Sequence, residues 1–410
     1  MSLRTMLGGW LMGNATAQKA GTQTAQPSTS SNSPITVTED TAMQVSTVNR
    51  CVRVLAETVA SLPIKVYEKS ADGKLTEVDD APNNPLWFLL TQSPNKWQTV
   101  QEWLETFFLN LVMHGNAFNH IERSVSGKIV GITSLSAQHM TVKNIDGEPV
   151  YIHSDIDGNT IVIAHINMWH CKLLGNGMMG LSPLGFAKGS IGLANACEDY
   201  SSKFFSNGGK PAGVISTDKL LTVEQRRQLK EAYNIDSQLS VSDGKHQNMV
   251  LEAGMKYTAV QARPDEMQML ETRNYQVEDI SRFFGVPLFL LNSATKSTTY
   301  GSGLSEIMAS FYSLTMRPYL TRFEQGVRKH LMTPGERRQY VVEFDFYHLL
   351  MTDPKLRAEI DAKEISSGIR TSNEIRKKRG LPPKDGGDSL VVNGGYLRLE
   401  QVGKETNNQG

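Results

Sequence analysis

The sequence predicts an α+β fold in which long helices accompany small antiparallel sheets. Apolar residues recur at helical spacing over residues 100–112 and 304–331, whereas residues 117–174 form short alternating runs separated by turn dipeptides. The chain has 410 residues. Because a single hydrophobic core stops growing at about 250 to 300 residues, we expect two or three domains. The 39% apolar composition supplies enough material for their cores.

Composition argues against several classes of protein. The 42 basic residues equal the 42 acidic ones, so bulk positive charge does not hold an anionic polymer tightly. The three cysteines, Cys51, Cys171 and Cys197, lie too far apart for a metal or redox motif, which favours a reducing compartment. No segment approaches the roughly 18 uninterrupted apolar residues of a membrane span, so we expect none.

The N-terminal region differs in composition from the rest of the chain. Residues 14–34 consist of small and polar residues with one charge, Lys19, and such a segment cannot bury enough apolar surface to order itself. The first residues imitate a signal peptide, but Gly8 and Gly9 break its apolar stretch, which disfavours secretion. We therefore predict a mobile arm at this end.

Recognisable caps place several helices. Thr99 with Glu102, Thr222 with Gln225 and Thr371 with Glu374 each form a capping box, in which both side chains accept exposed backbone N–H groups. Further helices are predicted after residue 48, ended by Pro63; from Pro183, with Ser182 as its cap; from Pro264 to Gly285; and over 354–366. Gly115 supplies a left-handed end to the helix that starts at residue 100.

Strands and loops fill the remaining segments. Glycines in the dipeptides at 126–127, 146–147 and 157–158 are typical of hairpin turns, so residues 117–174 predict one small antiparallel sheet. Strands are also predicted at 64–68, 248–261 and 340–347. Residues 292–303 are rich in hydroxyl groups and glycine and predict an exposed, pliable loop. In the helix that follows this loop, Pro318 predicts a kink.

The glycines at 175, 177 and 180 match the spacing of a dinucleotide-binding loop. Glu198 and Asp199, however, fall within the next predicted helix rather than at the end of a second strand, so we interpret the glycines as a flexible loop. Gly208-Gly209-Lys210 is followed by proline and lacks the hydroxyl of a phosphate-binding loop. Neither motif therefore supports nucleotide binding.

Histidines and arginines offer two further candidate sites. If residues 161–170 are extended, His165 and His170 point to opposite faces, so a structural role is favoured over metal binding. A metal-dependent DNA-processing enzyme that uses the His165 region remains an alternative. The basic run 376–379 is interpreted as a solvated helix end, with a phosphate site as its alternative. We expect no catalytic residues, cofactor or metal.

Eight short motifs, taken in order, resemble the HK97-type portal proteins of tailed bacteriophages over about residues 45 to 390. Each motif is weak by itself, but their order along the chain is specific. They are Val48-Asn-Arg-Cys51 through Ala60-Ser-Leu-Pro63, Asn84-Pro85 with Leu89-Leu90, Gly115-Asn-Ala117, Gly180-Leu-Ser-Pro183, Phe204-Phe-Ser-Asn-Gly208, Phe284-Gly-Val-Pro287, Arg317-Pro318 and Thr371-Ser-Asn-Glu374.

The resemblance implies a portal fold with a wing, a helical stem, a clip, a kinked tunnel helix and a small helical crown. Projected onto this chain, the parts are a flexible arm (1–44), the wing (45–218), the stem helices (219–236 and 264–290) around the clip (237–263), the tunnel loop (291–303), the kinked tunnel helix with a strand returning to the wing (304–350), the crown (351–395) and a flexible tail (396–410).

The resemblance also implies a function. The family forms a dodecameric ring at one capsid vertex, through which double-stranded DNA enters during packaging and leaves during infection. Expected partners are the major capsid protein, the large terminase subunit and a head-tail connector. The expected location is the virion, after synthesis in the host bacterial cytoplasm. A minor capsid or adaptor protein with another stoichiometry is a further alternative.

One segment is the candidate for DNA contact. We hypothesise that Lys296, Ser297, Thr298, Thr299 and Tyr300 of the tunnel loop meet the moving DNA, because the loop is pliable and contains no carboxylate. In a ring, a single lysine per chain becomes a circle of positive charge. Contacts to the phosphate backbone carry no sequence information, as a general conduit requires.

Overall fold

The computed structural model describes residues 23–24, 37–78, 84–155, 157–206, 213–216, 222–225, 227–228, 256–259, 269–291, 302–345 and 354–391. The chain divides into two compact units, Met1–Phe344 and Asp345–Gly410. Helices and antiparallel strands are mixed in the first unit, whereas the described elements of the second are helices. The predicted α+β class is confirmed.

The first part of the larger unit alternates helices with short strands. Its elements, in chain order, are β1 (Gln23–Thr24), α1 (Glu39–Gln44), α2 (Ser46–Ala60), β2 (Ile64–Lys69), β3 (Leu75–Glu77), α3 (Pro85–Thr91), α4 (Val100–His114), β4 (Asn116–Arg123), β5 (Ile129–Leu135), β6 (Met140–Ile145), β7 (Glu148–Ser154), β8 (Thr160–Ala164) and β9 (Met168–Lys172).

Longer helices dominate the remainder. They and their neighbouring strands are α5 (Pro183–Ser206), β10 (Gly213–Ser216), β11 (Lys256–Ala259), α6 (Met269–Phe284), α7 (Ser302–Ser310), α8 (Arg317–His330), α9 (Glu336–Gln339) and β12 (Tyr340–Phe344), followed in the second unit by α10 (Pro354–Ser366) and α11 (Ser372–Lys378). β10 pairs antiparallel with β11.

Helix α4 has the caps that its sequence predicts. The backbone N–H of Thr99 donates to the Glu102 carboxylate at 2.7 Å, and the N–H of Glu102 donates to the Thr99 hydroxyl at 3.2 Å. Gly115 ends the helix with a φ of 69°. The same reciprocal bonds start α11 at Thr371 and Glu374. The capping-box predictions are therefore confirmed at both helices.

An aromatic core joins α4 to elements far away in sequence. Trp103 and Phe107 of α4, Trp169 of β9 and Phe323 of α8 are fully buried, and their ring centroids lie 5.0 to 6.3 Å apart. α8 comes close to Trp169 because residue 326 is glycine: a Cβ there would lie 2.3 Å from the indole nitrogen. Aromatic pairs in such tilted arrangements stabilise a core beyond the area that they bury.

The predicted single sheet over residues 117–174 is wrong, because the strands form two sheets. β4 lies between β5 and β9, whereas β7 lies between β6 and β8, with the two residues of β1 added outside β6. Short 3-10 turns at Ala137–His139 and His165–Asn167 redirect the chain between the two sheets. The predicted turns are confirmed, with positive φ at their glycines, Gly127, Gly147 and Gly158.

A third sheet joins the last strand of the larger unit to two strands from its first quarter. β12 pairs antiparallel with β2, so that Phe344 lies opposite Ile64, and β2 pairs in turn with β3. The predicted return strand over 340–347 is too long, since β12 ends at Phe344. Residues 346–350 lie outside the described part of the chain.

The predicted boundary of the flexible arm at residue 44 is also wrong for its last residues. α1 begins with a capping box between Thr38 and Thr41, and its Ala42 is fully buried. Glu39 lies 3.0 Å from the ring nitrogen Nε2 of His114 and also bonds Gln138. The hydrogen bond from His114 lowers the pKa of the Glu39 carboxyl, so this carboxylate fixes α1 to the end of α4.

The predicted flexible loop at the glycines 175–180 is instead a turn held by hydrogen bonds. The side-chain oxygen of Asn116 accepts the N–H of Gly180 at 2.7 Å, and its amide nitrogen donates to the Gly180 carbonyl at 2.9 Å. A Cβ at Gly180 would lie 2.0 Å from the Gly115 carbonyl oxygen. Backbone contact of this closeness requires glycine at position 180, so this glycine has a structural reason.

In the second unit, the basic helix end is not simply solvated. Arg379 donates through Nε to the buried carboxylate of Asp361 at 3.0 Å, and Arg376 donates to the carbonyl of Pro382 at 2.8 Å. Arg379 is exposed, as the predicted solvated end requires, but both arginines also bond groups within this unit. The pair between Arg379 and Asp361 fixes α11 to α10.

The glycine contact predicts opposite effects of alanine at two positions. Gly180→Ala should destabilise the chain by about 3 kcal/mol or more, because its methyl group overlaps the Gly115 carbonyl. Gly189→Ala is the matched control, since Gly189 lies within α5 with no atom near its potential Cβ. It should stabilise by about 0.5 to 1 kcal/mol. Urea unfolding midpoints measure both changes. Equal midpoints for the two variants would contradict the close backbone contact at Gly180.

Candidate functional site

The predicted DNA-contacting residues Lys296, Ser297, Thr298, Thr299 and Tyr300 lie outside the described part of the chain. Their two flanks are described. On one side, α6 leads into a 3-10 turn at Leu288–Leu291, and on the other, α7 begins at Ser302. The candidate site is therefore defined by how these flanks are held.

The end of α6 is fixed to the segment that follows α7. Gly285 ends the helix with a φ of 67°, which lets the chain reverse towards Pro287. The Thr315 hydroxyl donates to the Gly285 carbonyl at 2.9 Å, and a Cβ at Gly285 would lie 3.3 Å from that threonine. Ile280, Phe284 and Val286 are buried beside this bond, so the flank is part of the core.

The 3-10 turn before the loop has its own anchor. Arg50 of α2 donates through Nε to the Leu290 carbonyl at 3.0 Å. Because the carbonyl groups at the end of a helical turn lack partners within the turn, a guanidinium is a favourable donor for them. The two anchors hold the last residues before the predicted loop on the body of the protein.

The helix after the loop departs from the predicted form. Residues Phe311–Met316, between α7 and α8, are a π-helix, and the N–H of Arg317 donates to the Tyr312 carbonyl five positions back. Pro318 follows and has no N–H for the carbonyl four positions before it. The helix is thus irregular ahead of the proline, where it forms a π segment, and the kink at Pro318 stays a prediction. Such segments are frequent at functional sites.

Helix α6 lies against α5 through polar contacts as well as apolar ones. Ser190 bonds Asp279, and the buried Gln276 lies 3.9 Å from the Cys197 sulfur. Arg282 is balanced by Glu278 and Asp279 at 3.2 and 3.5 Å. The charge of Arg282 is therefore partly neutralised within α6 itself.

The histidines predicted to be structural have separate surroundings. His165 lies in a 3-10 turn, so the extended strand assumed for it is wrong, and its exposed ring pairs with Glu148 at 3.1 Å. His170 is buried and contacts the Asn116 side-chain oxygen at 3.0 Å. Because that amide nitrogen donates to two carbonyl groups, its oxygen must accept, so Nε2 of His170 carries the proton.

Burial keeps His170 neutral. Desolvation lowers the pKa of its imidazole well below the usual value, and the charges of Lys172 and His330 lower it further. Among the residues that the structure describes, no group of three or more His, Cys, Asp or Glu could hold a metal ion. The same residues include no helix long and apolar enough to cross a membrane. Gly208-Gly209-Lys210 lies outside them.

Three comparisons with known proteins agree on one protein family. The family model for phage portal proteins matches residues 46–380. The portal protein of Enterobacteria phage HK97 is 33% identical over 378 residues, which cover 91% of this chain and 88% of that protein. The probable portal protein of Streptomyces phage phiC31 is 33% identical over 383 residues, which cover 90% and 81% of the two chains.

Solved structures share the fold. A chain from the neck of a native gene transfer agent particle, computed with C12 symmetry, superposes with a TM-score of 0.56 at 23% identity, over 87% of this chain and 97% of that one. An HK97-family portal protein from Corynebacterium diphtheriae also gives 0.56, at 14% identity, over 77% and 98%. This chain belongs to the phage portal protein family. The resemblance inferred from the eight motifs is confirmed.

The structure explains two of those motifs and adds residues that pattern reasoning missed. Gly115-Asn-Ala117 and Gly180-Leu-Ser-Pro183 meet through Asn116, and the Ser182 hydroxyl also donates to the Met113 carbonyl at 2.9 Å. Asn116 and Thr315 had no periodic signal, because each acts through one contact with a distant part of the chain. Their only sequence clue was that Asn116 stands within a short family motif.

The Thr315 bond predicts how firmly the loop flank is held. Thr315→Val removes the hydroxyl and its hydrogen bond. The flank should be destabilised by about 1 kcal/mol, so amide exchange across residues 281–291 should become about fivefold faster. Ser313→Ala is the matched control from the same π segment, because the Ser313 hydroxyl bonds only back to Ala309 and Ser310. Hydrogen exchange with mass spectrometry measures both variants. Equal exchange in the two would mean that Thr315 does not hold the flank.

Proposed function

We propose that this chain assembles into a ring, the portal of a phage-like particle, and that double-stranded DNA passes through its centre during packaging and ejection. The observation that carries the proposal is the 33% identity to the HK97 portal protein over 91% of the chain. In this function the protein acts as a conduit and docking ring at one vertex of the capsid, without catalysing a reaction.

The ring is supported by the neck structure of the gene transfer agent, which was computed with C12 symmetry and contains a chain of this fold. Twelve copies related by rotation require a heterologous interface, in which one surface of each copy meets a different surface of the next. The virion is then the place of action. The docking partners that we propose are the major capsid protein, the large terminase subunit and a head-tail connector.

The tunnel loop, residues 291–303, is proposed as the part that meets DNA. The anchored end of α6 supports this role, because its bonds to Arg50 and Thr315 would hold the first end of the loop in a defined position. Lys296 is the only charged residue between residues 292 and 303. Repeated around a ring, it presents positive charge to phosphates without reading base sequence. Ser297, Thr298, Thr299 and Tyr300 would add hydroxyl contacts.

A loop replacement tests the contact. Changing residues 296–300 to Gly-Ser-Gly-Ser-Gly keeps the length but removes the charge and the larger side chains, so particles should contain fewer full-length genomes. The control is Lys128→Ser, which removes a lysine from an exposed hairpin turn of the described structure. Packaged DNA is measured by pulsed-field electrophoresis after nuclease treatment of the outside. Wild-type filling by the loop variant would count against the DNA contact.

Assembly is tested separately. The purified chain should form closed rings at micromolar concentration, detected by native mass spectrometry, with twelve copies counted in electron-microscope class averages. Another regular ring number would favour an adaptor role, and a monomer would contradict the channel.

Incubation of the protein with plasmid DNA and magnesium, manganese or zinc tests the nuclease alternative: DNA cleavage that His165→Ala abolishes would support that alternative.

A further inference from the structure

A groove runs along the free edge of the sheet formed by β12, β2 and β3. It has a volume of about 500 Å³ and lies between β12, the end of α8 and α9. Its walls combine backbone, apolar and charged groups. They include Lys69, Glu324, Arg328, Met332, Arg338 and Val342.

The pairing pattern shows which backbone groups of β12 face the groove. The Val78 N–H donates to the Val66 carbonyl at 2.8 Å, so Val66 faces β3 and not β12. Val342 lies opposite Val66, and its N–H and C=O must therefore point away from β2. Phe344, two positions on, confirms this direction, because its N–H donates to the Glu324 carboxylate at 3.1 Å.

Some of these edge groups have no bonding partner among the described residues, although Val342 itself is only 6% exposed. The Tyr340 N–H donates to the Glu336 carbonyl. The Tyr340 C=O and the N–H and C=O of Val342 face the groove. Within the described ranges, no side chain bonds these three groups. An edge strand in this state is a template for the backbone of another extended segment. Met332 and the valine supply an apolar floor.

Cations surround the edge. Lys69, Arg328 and Arg338 are exposed, and none of them has an ion pair or a side-chain hydrogen bond with another described residue. Arg337 is different, since its guanidinium donates to the carbonyls of Arg328 and Lys329 at 2.8 and 2.7 Å. The Glu324 carboxylate is already bonded to Phe344. Glu343 also lines the groove and is exposed, so the charged groups left for a ligand are the three cations and this one carboxylate.

We propose that this groove binds a short extended segment of a partner protein, which pairs with the backbone of Val342 and places an acidic side chain between Arg328 and Arg338. Strand addition supplies affinity through the backbone, and the cations select the charge. Duplex DNA fits less well, because it offers no alternating donors and acceptors for a strand edge. The proposal does not depend on ring formation.

Peptide binding to the full-length chain tests the proposal. The probe is a fluorescein-labelled peptide, Thr-Val-Glu-Val-Glu-Val-Thr, followed by fluorescence anisotropy. We expect saturable binding, and replacement of both arginines (Arg328→Gln with Arg338→Gln) should weaken it about tenfold or more. Lys128→Gln with Arg273→Gln is the matched control, because both residues are exposed and lie on other elements. This control should retain the wild-type affinity.

Two modified peptides separate backbone pairing from charge. Methylation of the backbone nitrogens should weaken binding about tenfold, since it removes donors for the strand edge, and lysine in place of glutamate should abolish binding. No saturable binding, equal affinity of the methylated peptide, or no effect of the arginine changes would overturn the proposal. So would displacement by short duplex DNA that depends on the same arginines, or binding only after removal of residues 392–410. Native mass spectrometry of the same samples reports ring formation independently.

Discussion

The fold depends on one close contact between two backbone segments, at Gly115 and Gly180. A Cβ added at either glycine would lie about 2 Å from a carbonyl oxygen of the other segment. The Asn116 side-chain amide joins the two segments through hydrogen bonds to the N–H and C=O of Gly180. The contact joins the end of α4 and the start of β4 to the turn between β9 and α5. The aromatic core and the long helix α5 are therefore positioned from the same point.

From this contact, a series of packed elements leads to the flank of the predicted tunnel loop. α5 packs on α6 through Ser190 and Gln276, and the end of α6 is bonded to Thr315 in the π segment. A body of this kind is rigid where its elements are buried. If the tunnel loop meets DNA, its first end starts from a fixed place, because Leu290 and Gly285 are bonded to Arg50 and Thr315.

Charge is distributed in a way that suits a conduit. The chain is neutral overall, and Arg282 on α6 is balanced by Glu278 on the same helix. Strong attraction would slow DNA that has to slide, whereas a few repeated cations can centre it. The unpaired cations beside β12 stand out against this balance, since Arg328 and Arg338 have no partner among the described residues.

The sequence by itself determined the local structure: the caps at Thr99 and Thr371, the glycine that ends α4, and the family, because these depend on neighbouring residues or on ordered motifs. The positions of Lys296 to Tyr300 stay a prediction. Only the tertiary structure decided that residues 117–174 form two sheets, that Glu39 holds α1 on His114, and that Arg379 serves Asp361. Each of these depends on residues that are distant in sequence, for which local periodicity carries no signal.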